Sequence, residues 1–115
     1  MSQFENVESI LPLAPVQEGM LYHTVAAPKS GVYITQICVE LTGHLDPSAL
    51  RAAWEATVAG HSAMRASFFW DGLDAPVQVI REKVDIPWQE LDWRERGDAA
   101  LPLLLAEERR SGFDL

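Results

Sequence analysis

Acid-base or nucleophilic chemistry in this 115-residue sequence would come from its three histidines, its single cysteine or the serine that follows a histidine: His23, His44, His61, Cys38 and Ser62. A nucleophile needs a base within hydrogen-bond reach and a third group that orients the base. The adjacency of His61 and Ser62 in the sequence supplies neither. No HExxH, paired-cysteine or Gly-x-Ser-x-Gly pattern occurs, so we expect no metal site and no serine hydrolase.

His61 is the best of the three histidines for function, because it lies in "AGHSAMRASF", a predicted corner between a helix and a strand, although the residues alone favour a structural role. His44 follows Gly43 in a predicted turn and should be solvated. His23 lies near a predicted helix end, where a positive imidazole is favourable. Cys38 lies in an apolar run, so we predict a buried structural thiol. The residues alone therefore predict no self-sufficient active site.

Composition and charge exclude several classes of protein. Of the residues, 48% are hydrophobic and 23% are charged, which is typical of one globular domain. The net charge of −8 argues against nucleic acid as a partner, since phosphate binding needs a basic face. One cysteine permits no internal disulfide, which favours the cytoplasm. We expect no signal peptide, and "LPLLLA" is too short to span a membrane.

The first half of the sequence predicts helix, strand, helix. Residues 1–9 are a polar lead-in that is extended or frayed, and a helix begins at Pro15 and ends at "AAPKSG". Residues 32–41, "VYITQICVEL", predict a strand that is covered on both faces. "LDPSALRAAWEATVAGH" predicts a helix with Asp46 as its N-cap and Gly60 as its left-handed stop.

The second half predicts two strands, an extended piece and a helix. "RASFFW" and "PVQVIR" should form a hairpin across "DGLDA", with "IPWQELDW" extended after it. Asp98 should cap a helix that runs to about Ser111, with Leu101, Leu104 and Leu105 facing inward. The whole order predicts an α+β or α/β fold, with an open sheet covered by helices.

The stretches "ILPLAPVQEGMLYHT" and "GHSAMRASF" resemble the first two core motifs of condensation domains from nonribosomal peptide synthetases. "ILPLAPVQEGMLYHT" resembles the first motif, where Ala14 replaces the family's serine. "GHSAMRASF" resembles the second motif, Arg-His-x-x-Leu-Arg-Thr-x-Phe, where Met64 replaces leucine and Gly60 stands at the first arginine. The residues that match are Gln17, Gly19, Met20, Leu21 and Tyr22 in the first motif and His61, Arg65 and Phe68 in the second.

The resemblance extends in order through the connecting segments "SGVYITQ", "GHLDPSALRAAWEATV", "FFWDGLDAPVQVI", "ELDW" and "RRSGFDL". It implies a lead-in over residues 1–6 and the N-terminal portion of a condensation domain over residues 7–115. The family's catalytic signature, His-His-x-x-x-Asp-Gly, does not occur in this sequence, so the resemblance implies a piece truncated before it. The implied fold is a fragment of a lobe similar to chloramphenicol acetyltransferase, with no catalytic residue of its own.

The function implied by the resemblance is amide-bond formation between aminoacyl and peptidyl thioesters on carrier proteins. Phosphopantetheine would be carried by those partners and not bound directly. The implied partners are carrier proteins, other synthetase domains and the remainder of the condensation domain. A non-catalytic module that docks carrier or neighbouring domains is the alternative, and a small acyltransferase that uses His61 is a third hypothesis.

Carried over by position, Gln17, Tyr22 and His23 would lie near the substrate tunnel, with His61 also a motif candidate. Arg65 would lie near the signature loop and face its aspartate. Without that partner, an unpaired buried charge costs several kcal/mol. We therefore expect Arg65 to be more exposed than in a full domain, or paired with another acid.

A partial lobe should also leave sheet edges and apolar surface uncovered. The resemblance therefore predicts association, either as a homo-oligomer, for example by swapping, or with a partner chain that supplies the remainder.

Overall fold

The computed structural model describes residues 5–28, 30–95, 97–113 and 115. They form two compact units: the first contains the described part of Met1–Ala14 with Leu41–Trp88, and the second contains Pro15–Glu40 with Gln89–Leu115. The elements are β1 Val7–Pro12, α1 Pro15–Ala26, α2 Pro47–Gly60, a 3-10 turn Ser62–Arg65, β2 Ala66–Phe69, β3 Val77–Arg81 and α3 Ala100–Ser111. None of these helices has the length and apolar character needed to cross a bilayer.

The first unit is built on a three-stranded antiparallel sheet in the order β1-β3-β2. The predicted hairpin is confirmed, since β2 pairs with β3 from Ala66 opposite Ile80 to Phe69 opposite Val77. Val79 and Ile80 are buried because β3 has a neighbouring strand on each side. Of the two predicted fold classes the described residues fit α+β, since no parallel strand pair occurs among them.

Strand β1 was not predicted: from Val7 onward the chain is extended, as one of the two expectations for residues 1–9 had it, but it is paired in a sheet and is no lead-in. The strand pairs with β3, which lies about 70 residues later in the chain. "VESILP" has no clear alternation of polar and apolar residues, so local periodicity does not identify it. The extent of such a strand is determined by the strand with which it pairs, here β3.

Helix α2 begins as predicted. Asp46 is extended (φ −97°), and its carboxylate accepts the backbone N–H groups of Ser48 and Ala49 at 3.0 and 3.3 Å. The predicted left-handed stop at Gly60 is wrong, because Gly60 is the last helical residue and the chain turns at His61 (φ −128°, ψ 102°).

The sequence of α2 predicts an inward face formed by one apolar stripe, which consists of Leu50, Ala53, Trp54, Thr57 and Val58. This face is buried only at its end. Val58 is buried in the first unit and Leu50 is half-buried, whereas 47% of Trp54 remains exposed. The apolar stripe thus predicted the helix correctly but did not predict how much of it is covered.

The second unit contains α1 and α3, and both predicted helices are confirmed. The predicted cap at Asp98 is wrong, because Ala99 occupies the N-cap position and no side chain caps the helix. Helix α3 does end at Ser111, followed by Gly112 with φ +58°. Leu104 and Leu105 are half-buried as expected, but Leu101 is exposed.

The strand predicted for residues 32–41 is not formed, although the segment contains many β-forming residues. Its inner side contacts α3, since Gln36 Nε2 donates to the Leu105 carbonyl at 2.8 Å. Its outer side is uncovered, and Ile37 is 85% exposed. A strand requires a hydrogen-bonded neighbour, and the described residues supply none here. Cys38 is exposed, so the prediction of a buried thiol is wrong for the same reason.

Exposure of Cys38 predicts rapid labelling by a thiol reagent in native buffer. We expect full modification at a rate within about tenfold of the urea-unfolded chain, because no packing shields the sulfur. Absorbance with a disulfide reagent measures both rates. Protection by a hundredfold or more would mean that this segment is covered in solution.

Replacing Asp46 by alanine should lower the free energy of unfolding by about 1 kcal/mol, because two N-terminal amides of α2 lose their acceptor. Asp98→Ala is the matched control and should have little effect, since Asp98 does not cap α3. Urea unfolding followed by circular dichroism measures both. Equal losses for the two variants would contradict the assignment of the caps.

Candidate functional site

His61 lies at the corner between α2 and the 3-10 turn, as the sequence predicted. Its backbone N–H donates to the Val58 carbonyl at 3.3 Å, and its Nδ1 lies 2.8 Å from the Thr57 carbonyl oxygen. A carbonyl oxygen only accepts, so this bond requires a proton on Nδ1. In the neutral ring, Nε2 then carries the lone pair. His61 is exposed, and Nε2 is its basic nitrogen.

Arg65 is the one buried charged residue among the described residues, with 7% of its surface exposed. Its Nε donates to the Val58 carbonyl at 3.1 Å, and its Nη1 donates to Glu8 Oε1 at 3.1 Å. Nη1 also donates to the Arg81 carbonyl. One guanidinium therefore joins the carboxyl end of α2, β1 and the end of β3.

The expectation that Arg65 would be more exposed is wrong, because 93% of the residue is hidden from solvent. The alternative expectation, pairing with another acid, agrees with the contact to Glu8. Burial is tolerated because a carboxylate and two carbonyl oxygens replace water around the cation.

A cleft of about 540 Å³ lies beside Arg65 in the first unit. Helix α2 lines one side with Arg51, Glu55 and Val58, and residues 82–86 line the other. Arg51 and Glu55 are bonded to each other at 3.0 Å. Cations and carboxylates are mixed around this cleft, so it is not a dedicated anion site.

The other candidates share α1 in the second unit. Gln17 is half-buried, and Tyr22 and His23 are exposed. The rings of Tyr22 and His23 meet edge to face with centroids 5.4 Å apart. The ring of Tyr33 lies near that of His23, with the centroids 6.3 Å apart and the ring planes inclined at 51°. The φ of Tyr33, +62°, is uncommon for a residue with a Cβ.

The sequence-predicted residues fall into two groups. His61 and Arg65 belong to the first unit and meet at the Val58 carbonyl. Gln17, Tyr22 and His23 belong to one helix of the second unit. The residues of each group come from one short segment of the chain.

Sequence reasoning missed Glu8, Asn6 and Tyr33. Glu8 is the acid partner of Arg65, yet it lies 57 residues earlier in an unpredicted strand. An available signal was a lone acid inside the apolar run "VESILPL", although acids at strand edges are common. For Asn6, the signal was the tolerance of asparagine for positive φ before a strand.

Among the described residues, the ionisable groups with shifted pKa values are Asp92 and Arg94 on the surface of the second unit. Hydrogen bonds from the Arg94 side chain, and then from its backbone, lower the pKa of Asp92. The same pair raises the pKa of Arg94. Within the described ranges, no three His, Cys, Asp or Glu side chains converge in a way that could hold a metal ion.

Comparison with known proteins places this sequence in a family. The family model described as "Condensation domain" matches residues 7–115. The chain is 38% identical over 113 residues to one of the linear gramicidin synthase proteins of Brevibacillus parabrevis. It is 34% identical over 113 residues to bacitracin synthase 1 of Bacillus licheniformis. Each match covers 95% of this chain but only 2% of the relative's length.

The bonds of Arg65 predict the cost of removing it. In Arg65→Met the Val58 and Arg81 carbonyls lose a donor, so we expect the free energy of unfolding to fall by about 1–3 kcal/mol. Arg51→Met is the matched control, because both partners of its pair are more than half exposed, and it should change stability by about 0–1 kcal/mol. Urea denaturation tests both variants, and equal effects would show that Arg65 is no anchor.

Proposed function

We propose, from the premise that this chain belongs to the condensation domain family, that it forms part of the N-terminal lobe of a peptide-synthetase condensation domain. That lobe would be similar to chloramphenicol acetyltransferase. Such a domain joins a carrier-bound aminoacyl thioester to a carrier-bound peptidyl thioester through an amide bond. The carrier proteins hold the phosphopantetheine arms, so this chain contacts the substrates without binding a cofactor of its own.

The observation that carries this proposal is the family match over residues 7–115. The names of the relatives, linear gramicidin synthase and bacitracin synthase, support peptide synthesis as the process. The matched positions of the second motif also meet in space, since His61 and Arg65 share the Val58 carbonyl. Two matched residues that bond the same carbonyl oxygen favour a functional corner over a chance similarity of sequence.

In this proposal the chain contributes walls and positioning. His61 presents a basic Nε2 at an exposed corner, and Gln17, Tyr22 and His23 contribute to the substrate side from α1. No pair of adjacent histidines occurs in the sequence. A general base must lie within hydrogen-bond distance of the attacking amine. The resemblance gives this role to the His-His signature, so we propose that residues outside these 115 supply the base.

Exposed apolar side chains support an association surface. In the second unit Ile37 is 85% exposed and Phe113 is 75% exposed, and Val16 and Leu103 are exposed as well. Uncovered apolar area of this kind is usually contacted by another protein surface. We propose that the remainder of a condensation domain covers it. The second candidate function, a non-catalytic module that docks carrier or neighbouring domains, rests on the same surface.

Amide formation tests these functions. Two carrier proteins loaded with aminoacyl thioesters are mixed with this chain alone, or with a synthetase module that contains it, and dipeptidyl thioester is measured by mass spectrometry. We expect product only from the module. His61→Ala in the module should slow it by about tenfold or more, because a displaced wall residue misplaces the thioesters.

His44→Ala is the matched control, since His44 is exposed directly after the bend at Gly43 in the first unit, and it should leave the rate unchanged. Product from the chain alone, abolished by His61→Ala, would instead establish the small acyltransferase. A module that makes no product while the chain still binds carriers would establish the docking role and overturn the proposal.

A further inference from the structure

We infer that Glu8 is a positioning residue: through Arg65 it holds the carboxyl end of α2, and with it His61, in place. The inference deepens the proposed function and rests on it only in naming His61 as part of a condensation site. The contacts themselves are independent of that function.

Strand β1 has a bulge at Glu8. Val7 is paired with Arg81 and Ser9 is paired with Ile80, so two steps along β1 match one step along β3. The additional residue is Glu8. A bulge bends its strand and redirects a side chain. Here the redirected carboxylate reaches Arg65 Nη1 at 3.1 Å.

The approach to the bulge is also fixed. Asn6 has φ +60°, and its side chain bonds the backbone of Lys83 twice. Its Nδ2 donates to the Lys83 carbonyl at 2.7 Å, and its Oδ1 accepts the Lys83 N–H at 2.8 Å. The Glu82 N–H also donates to the Asn6 carbonyl at 3.1 Å. Together these bonds hold the chain immediately before Glu8 against the end of β3.

The two members of the pair are unequally buried. Arg65 has 7% of its side chain exposed, whereas Glu8 has 47%. A buried guanidinium requires a counter-charge, because desolvation disfavours the isolated cation. Glu8 is the acid that bonds Arg65 among the described residues. Because water reaches Glu8, the carboxylate is partly solvated while it neutralises a cation that is not.

Arg65 is also linked to His61. The Val58 carbonyl accepts both Arg65 Nε at 3.1 Å and the His61 N–H at 3.3 Å. The last carbonyls of a helix lack intrahelical donors, so such bonds determine how the final turn ends. Displacing the guanidinium would release this turn. The His61 ring is also bonded to it, through the Thr57 carbonyl.

An ordinary surface ion pair is the competing explanation. The Arg51–Glu55 pair is of that kind, because both side chains are more than half exposed. Such pairs hold little in place. The Glu8–Arg65 pair differs because its cation is buried and bonds three elements.

Hydrogen exchange of the arginine Nε–H in the whole chain, followed by nitrogen-15 NMR, tests the inference. In Glu8→Ala we expect the Arg65 Nε–H to exchange at least about tenfold faster, with a shift of the His61 amide. The amides of Val79 and Ile80 should keep their rates. Glu8→Gln retains an acceptor oxygen without the charge, and it should fall between Glu8→Ala and the unmodified chain.

Glu55→Ala is the matched control, because it removes the other acid of an arginine pair in the same unit and should leave the Arg65 Nε–H unchanged. An unchanged Arg65 Nε–H in Glu8→Ala would overturn the inference, and so would equal acceleration of all the amides, which reports general loss of stability. These readouts do not involve amide formation, so a failed proposed function and a failed positioning role are distinguishable.

Discussion

The buried guanidinium of Arg65 is the interaction on which the first unit depends. A cation with 7% exposure is stable there only because the Val58 and Arg81 carbonyls and the Glu8 carboxylate surround it. These three acceptors belong to α2, β3 and β1, so one side chain determines how a helix end meets both strands. The position of His61 consequently depends on Arg65, since the Val58 carbonyl that accepts Arg65 Nε also accepts the backbone N–H of His61.

In the second unit, apolar side chains of the segment 32–40 remain exposed to solvent. Its extended segment bonds α3 through Gln36, but Ile37 on the outer side is almost fully exposed. Side chains of this type gain about 1.5–3 kcal/mol when they are buried. Because these side chains remain in water, the segment 32–40 does not gain the free energy of burial that would stabilise it as a strand. The local sequence still favours an extended backbone, yet no neighbouring strand completes it among the described residues.

Much of the secondary structure was predictable because its signals are local. Asp46 and the proline after it mark the start of α2, and the short apolar runs around "DGLDA" mark the hairpin. The motif residues His61 and Arg65 are identified through the resemblance of "GHSAMRASF" to the second condensation-domain motif. The failures share one cause: β1, the cover of Cys38 and the partner of Arg65 all depend on residues far away in the chain. Periodicity carries no information about such pairs.

The sequence by itself determined the membership of a family, the positions of three helices and one hairpin, and the candidate residues of its two motifs. Capping, turn residues and apolar spacing act within a few residues, so they can be interpreted without coordinates. Only the tertiary structure decided that Glu8 is the counter-charge of Arg65, and that a bulge in β1 directs it there. The physical reason is that desolvation of a charge depends on every atom around it, whichever part of the chain supplies those atoms.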